Sequence, residues 1–580
     1  MFINRLTRPK LILVKKILFL VSILCLLYSC KEDSRATAPF DSYSVAKKIR
    51  VDKGAVVSAH PLASEVGRDI LMQGGNAVDA AIAVQYALAV VYPNAGNLGG
   101  GGFMVFHTGE GESYSIDFRE KAPLRAHKDM YLDSLGDAVP EWSRNGHLAS
   151  GVPGTVAGTF LAHRKFGKLP MDQLIRPAIA LAERGFAITE REAGGLNNYA
   201  EDFRKYNTRG SAFVKEKAWK AGDVLVQKDL AETLKRIAVQ GQAGFYEGKT
   251  AELIEEEMKR GGGIMTAEDL KQYEAREREP VTFKYKDYTI ISMGLPSSGG
   301  IMMQQMLGML EPYPISEYGF HSPAAIQLMT EIERRAFADR TEYMGDPDFV
   351  EVPVAELVEK SYLESRMADF TPGVPTPSAE VSAGLMVKEK EETTHLSVID
   401  EEGNAVSLTT TINGAYGSRV VVGGAGFILN NEMDDFSAKP GAPNKFGLLG
   451  TEANSIQPSK RMLSAMTPTV VLKNDKPYLV LGTPGGSTII TSVFQTLVNI
   501  LEFDLPAQKA VNAPKFHHQW QPDLIYVEKE FPQAAIDTLE AMGYVVEERR
   551  AIGRTEVIKI IEQGIEAVGD RRGDDSAAGY

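Results

Sequence analysis

From Val56 onward the chain switches between two hydrophobic periods. Apolar residues recur at helical spacing over Ala63 to Gln73 and again over Ala77 to Val90, with Gly74-Gly75 between them as a C-cap and restart. The period shortens to two over Phe103 to Thr108 and Ser113 to Phe118, which predicts a hairpin. Residues 155–260 are mostly amphipathic helix, including Pro177 to Arg184. Residues 371–392 are rich in Pro, Ser, Lys and Glu with little apolar content, which predicts an exposed loop. That loop runs straight into a strand-rich region, first Thr394 to Asp400 and then Ala405 to Thr411. Glu401-Glu402-Gly403-Asn404 reads as the intervening turn, with Asp400 facing Ala405. This register sets Thr393 opposite Ile412, flanked by Thr411 and Asn413. Long helical stretches flanked by strand pairs predict stacked α and β layers around one shared core.

The first 30 residues follow a different rule. Arg5, Arg8, Lys10, Lys15 and Lys16 precede an apolar run from Ile17 to Leu27 that is too short to span a bilayer comfortably and reads as a signal-peptide core. It ends in Leu27-Tyr28-Ser29-Cys30, which resembles a bacterial lipobox. The expectation is removal of residues 1–29, lipid on Cys30, a polar tether over residues 30–54, and an exported protein anchored to a bacterial membrane, facing the periplasm or the outside. Cys25 leaves with the signal, so no disulfide or cysteine nucleophile remains.

Composition narrows the classes further. A 580-residue chain with 44% hydrophobic and 24% charged residues is not disordered, and allows several domains or one large layered fold. The net charge of −13 becomes more negative once the five basic residues of the signal are removed, which argues against nucleic acid as a partner. No H-E-x-x-H pair is present, so the best-known zinc-protease pattern is missing. Gly244 to Thr250 looks like a phosphate loop, but it has three residues between the glycines where four are needed and follows a helical stretch.

Thr393 sits at the junction of polar loop and strand. A threonine hydroxyl is a poor nucleophile unless a base takes its proton, and an N-terminal threonine carries that base as its own α-amine, pKa about 7.7–8.0. Such a role requires cutting the Glu392–Thr393 bond inside the loop. On this segment alone, strand propensity is the simpler reading of the threonines.

Other motifs change that balance. Thr393-Thr394-His395 with Gly403-Asn404-Ala405-Val406 resembles the γ-glutamyltransferase (γ-glutamyl transpeptidase) family, and so do the run Gly96 to Phe103, Asp117-Phe118-Arg119-Glu120 and Pro296 to Gly300. Further matches are Asn430 to Phe436, Pro484-Gly485-Gly486-Ser487 and Ala578-Gly579-Tyr580, so the resemblance covers nearly everything from Val56 to the end. It implies an α+β fold, a four-layer αββα sandwich of the N-terminal-nucleophile hydrolase type. It also implies self-cleavage at Glu392–Thr393 into a large subunit, residues 55–392, and a small one, residues 393–580, that share one core and stay together as a heterodimer.

The implied reaction is attack of Thr393 on γ-glutamyl amides such as glutathione, with the acyl-enzyme resolved by water or by an amino-acid or dipeptide acceptor, and with neither cofactor nor metal. By the same resemblance Thr411 supports the Thr393 hydroxyl, and Gly485 and Gly486 form the oxyanion hole. Arg119 and Ser464 hold the donor's α-carboxylate, and Asn413, Glu432 and Asp435 its α-ammonium. Departures exist: Ala465 stands where the family often has a second serine, Glu432 where some relatives have Gln, and Phe446 replaces an aromatic hydroxyl in the expected lid, residues 439–450. The alternatives are a related glutaryl-cephalosporin acylase, or a non-catalytic binding lipoprotein on a degenerate fold of this type. The retained amino-acid recognition set favours the first reading over the acylase.

Overall fold

The computed structural model describes residues 38–381, 393–437, 439 and 451–580. The signal segment, Cys30, Glu392 and the expected lid beyond Lys439 lie outside the described residues. Two seven-stranded sheets dominate. The first runs in the order Ser576–Gly579, Ala55–Ser58, Thr394–Ile399, Ala405–Thr411, Gly101–His107, Ser113–Asp117, Arg276–Arg278. The second runs Lys48–Val51, Gly564–Val568, Glu556–Ile561, Lys476–Gly482, Thr469–Lys473, Tyr288–Ser292, Val281–Tyr285.

Three separate apolar cores define the layers. Between the sheets, Val57, Phe103 and Val105 of the first meet Ile291, Val470, Val480 and Ile558 of the second. The outer face of the first sheet packs against the helices Pro61–Met72, Ala77–Val91, Thr155–Phe166 and Met171–Arg184. The outer face of the second packs against Gly299–Leu310, Pro323–Tyr343 and Thr488–Leu501. This is the αββα sandwich. The Ala77–Val91 helix is buried along its whole length, as its nearly uninterrupted apolar sequence requires, and a capping box between Asn76 and Asp79 fixes its start.

Three expectations need correction. Residues 48–51, read above as tether, form an edge strand paired antiparallel with Ile565–Val568. Its Lys48 and Arg50 reach Glu566, so a polar, charged segment can still gain a ladder at a sheet edge. The loop over 371–392 is exposed at Thr371 to Val374, but Ser378 and Val381 are buried, with Ser378 bonded to Trp520 through both its hydroxyl (2.6 Å) and its carbonyl (3.0 Å). The central hairpin is one residue tighter than expected. Thr394 pairs with Thr410 and Ile399 with Ala405, so Asp400 faces Asn404. Gly403, at φ +83°, makes the three-residue loop feasible, and the Asp400 carboxylate locks it by accepting from the amides of Glu402 and Asn404 at 3.0 Å each. The shift brings Thr411, not Ile412, opposite Thr393.

Candidate active site

Thr393 is the residue immediately before the Thr394–Ile399 strand and is 4% exposed. Its Oγ lies 3.5 Å from Thr411 Oγ. The Thr411 hydroxyl accepts the backbone N–H of Asn413 at 2.8 Å, so its own proton is available to Thr393. At 3.5 Å that contact is at the long limit for O–H···O and must tighten in the reacting state. Asn97, within the glycine-rich run, fixes the neighbouring backbone by donating to Thr411 O and Thr410 Oγ at 3.0 Å each. Gly100 has to be glycine here, since a Cβ would come within 2.0 Å of Thr411 O.

The second sheet delivers the other half of the reacting end. Ser407 ties the sheets together by donating to Leu481 O at 2.9 Å, and the His395 ring packs on Gly482 at the end of the Lys476–Gly482 strand. The chain then turns through Gly485 (φ +144°) and Gly486 (φ +51°) into the Thr488–Leu501 helix. These angles favour glycine, and among the described residues neither glycine N–H donates to another group of the chain. Two free N–H groups before a helix start suit an oxyanion.

His395 is no candidate base. Burial pushes its pKa down to about 3, and its ring nitrogens contact Thr409 Oγ (2.9 Å) and Ser397 Oγ (3.0 Å).

The headgroup end is charged. Arg119, whose backbone N–H is held by Asp117 (2.9 Å), points its side chain at two carboxylates. One terminal nitrogen bonds Glu432 and the other Asp435 Oδ2 at 2.5 Å, with Glu120 at 3.6 Å. The remaining donors go to Met462 O (3.2 Å) and Leu463 O (3.3 Å). Burial alone would lower the Arg119 pKa, but Glu432, Asp435 and Glu120 outweigh it and hold the guanidinium firmly charged. Glu120 goes the other way: burial, and then the charge on Glu432, raise its carboxyl well above the usual range. Asn413, at φ +70°, donates to Asn431 O at 3.0 Å and to Asp435 Oδ1 at 3.4 Å. Asn430 accepts from Glu432 N at 3.0 Å and so aims the short 3-10 turn Glu432–Asp435 at Arg119. Ser464 is held from behind by Pro296 to Ser298: its N–H donates to Pro296 O, and its carbonyl accepts from Ser298 N and Oγ at 2.9 and 2.8 Å.

One small pocket therefore gathers Arg119, Thr393, Thr411, Asn413, Glu432, Asp435, Ser464 and Gly486. Its own side chains leave only about 20 Å³ free, roughly one water, so a donor must part the ion pairs on entry. Gly485 lies on the same turn but faces a neighbouring cavity of about 1100 Å³. Sequence reading missed Arg340, and the apolar wall of Leu463, Met466 and Ile489. Arg340 lies deep in the Pro323–Tyr343 helix, where a basic residue normally marks a solvent face. The Gly244 to Thr250 segment falls in and between the helices Ala243–Tyr246 and Gly248–Gly261, not after a strand.

Comparisons with known proteins agree with this geometry. The family model for gamma-glutamyltranspeptidase matches residues 63–580. The chain is 46% identical over 552 residues to the glutathione hydrolase proenzyme of Escherichia coli K12, covering 94% of this chain and 95% of that one. Among solved structures, the gamma-glutamyltranspeptidase of Helicobacter pylori is 47% identical, with a TM-score of 0.56 over 60% of this chain and 97% of its own. A cephalosporin acylase from Bacillus halodurans shares the fold at a TM-score of 0.81, over 93% and 98% of the two chains, with 24% identity. The motifs that meet around Thr393 and the matched length together place the chain in the gamma-glutamyltranspeptidase family.

Proposed function

We propose that the protein is a γ-glutamyl transpeptidase and glutathione hydrolase that makes its own nucleophile. Thr393 Oγ attacks the Glu392 carbonyl carbon, the chain shifts from amide to ester, and water splits the ester to leave a Glu392 carboxylate and a free Thr393 α-amine. That amine takes the Oγ proton as Thr393 attacks the γ-carbonyl of a donor such as glutathione. The oxyanion is received by the N–H groups of Gly485 and Gly486, and the proton passes to the departing amine. Water then releases glutamate, or an amino acid or dipeptide takes the γ-glutamyl group.

The observation that carries this reading is the shared pocket: a strand-end threonine beside a second hydroxyl, with a guanidinium and two carboxylates on the same wall. The two carboxylates favour an amino-acid headgroup over a glutaryl one, which brings no cation to Glu432 and Asp435. Both sheets interleave strands from either side of the cut, so the two halves stay joined after cleavage. Release of p-nitroaniline from a γ-glutamyl anilide, enhanced by glycylglycine, tests the activity; no turnover by cut protein would move the assignment to a binding lipoprotein.

Lipid attachment at Cys30 and export to a bacterial membrane are part of the same proposal, supported by the lipobox-like Leu27-Tyr28-Ser29-Cys30. Cys30→Ser should free the protein from membranes or leave its signal uncut. Normal processing with unchanged membrane association would contradict it.

A further inference from the structure

Two guanidiniums enter the nucleophile's pocket, and they are in opposite situations. Every nitrogen of Arg119 is already engaged, with Glu432, Asp435 and the carbonyls of Met462 and Leu463. Arg340 is 3% exposed, yet among the described residues no carboxylate comes within 4.0 Å of it. Its one hydrogen bond runs from Nε to Ser298 Oγ at 2.9 Å, and its two terminal nitrogens make none. Burial, opposed by the charge of Asp435 and reinforced by that of Arg119, pushes its pKa down to about 10, so it stays a cation at neutral pH. A buried cation without a counter-ion is costly and is a ready receptor for an anion.

We propose that Arg340 is a specificity-determining residue that receives the α-carboxylate of the γ-glutamyl donor, while Arg119 chiefly holds the two carboxylates that receive the α-ammonium.

The inference rests on the γ-glutamyl reading above and assigns a residue that reading lacked. Its geometry is set by Ser298, whose hydroxyl accepts from Arg340 and donates to Ser464 O, so Arg340 and Ser464 share one wall. Ala465, next to Ser464, offers no hydroxyl of its own. The charges also close. With Glu120 kept protonated, Arg119 and Arg340 balance Glu432 and Asp435, and a zwitterionic headgroup adds one charge of each sign beside its complement.

The test uses full-length, self-cleaved protein carrying Arg340→Gln or Arg340→Lys, with two anilides: γ-glutamyl p-nitroanilide, and 4-aminobutyryl p-nitroanilide, which has the same chain and ammonium but no α-carboxylate. Arg340→Gln should raise KM for the first at least tenfold with kcat within threefold. It should leave KM for the second unchanged, or its Ki where it is not turned over, and Arg340→Lys should recover part of the loss. An unchanged γ-glutamyl KM, or equal losses on both anilides, would overturn the assignment. If Arg340→Gln fails to fold, Arg340→Lys alone carries the comparison, since a displaced ammonium should still weaken only the carboxylate-bearing donor. Wild-type turnover of the γ-glutamyl anilide is read first and separately, so a failure of the proposed function cannot pass for a failure of this residue.

Discussion

Thr393, Thr411 and the Gly485-Gly486 turn make a reacting end built from hydroxyls and backbone N–H groups, whereas Arg119, Arg340, Glu432 and Asp435 make a headgroup end built from buried charge. The reacting end depends on where two strands stop: the junction at Thr393 in one sheet and the exit from Gly482 in the other. The headgroup end depends on loops and one long helix that converge from far apart in sequence, such as Arg119 with Asp435 and Arg340 with Ser298. Backbone geometry sets the chemistry, and electrostatics sets what is admitted to it. Self-cleavage uses the chain's own carbonyl and no amino-acid headgroup, so the first end should work when the second is damaged.

Substitutions that separate the two ends should differ in size and in kind. Thr393→Ala should abolish both reactions, leaving one uncut chain on a denaturing gel and background anilide turnover. Replacing Gly486 by Ala strains a φ of +51° and displaces an oxyanion donor, so kcat should fall about 10²–10³-fold with KM little changed. Arg119→Ala should leave the cut intact but raise the donor KM at least about tenfold. Because it strands Glu432 and Asp435, it should also cost about 3–5 kcal/mol of stability, which chemical denaturation would measure. Arg119→Lys should keep more of the stability than of the donor affinity. Thr411→Val removes one hydroxyl partner and should slow turnover only about tenfold.

A final contrast is in pH. Donor turnover by the cut enzyme should rise as the Thr393 α-amine loses its proton, with an inflection near pH 7.7–8.0, because only the neutral amine accepts from Oγ. Self-cleavage has no such amine and should lack that inflection. His395, neutral above about pH 3, cannot supply it either, so a conservative His395→Gln variant should keep the same profile.

The reacting end was far more legible in the sequence than the headgroup end. Period-two patterning located both strands of the central hairpin, and Thr393 at its border, to within a residue. The register was off by one because the side chain of Asp400 closes a three-residue loop, a hydrogen-bond choice that hydrophobic pattern does not encode. Lys48–Val51 was read as tether because its charges signal solvent, although an edge strand can carry charge on one side and still pair on the other. Arg119, Glu432 and Asp435 were found through their motifs, but not that they pair with one another. Arg340 gave no signal, since neither its burial nor its lack of a carboxylate partner is a property of the local sequence.

The most direct test of Thr393 as the self-generated nucleophile is intact mass spectrometry of the purified protein, before and after quenching with a γ-glutamyl donor. The result in favour is two fragments, the smaller running from Thr393 to Tyr580 and gaining the mass of one γ-glutamyl group on Thr393. An active protein that remains a single chain, or a γ-glutamyl group carried on any other residue, would contradict it.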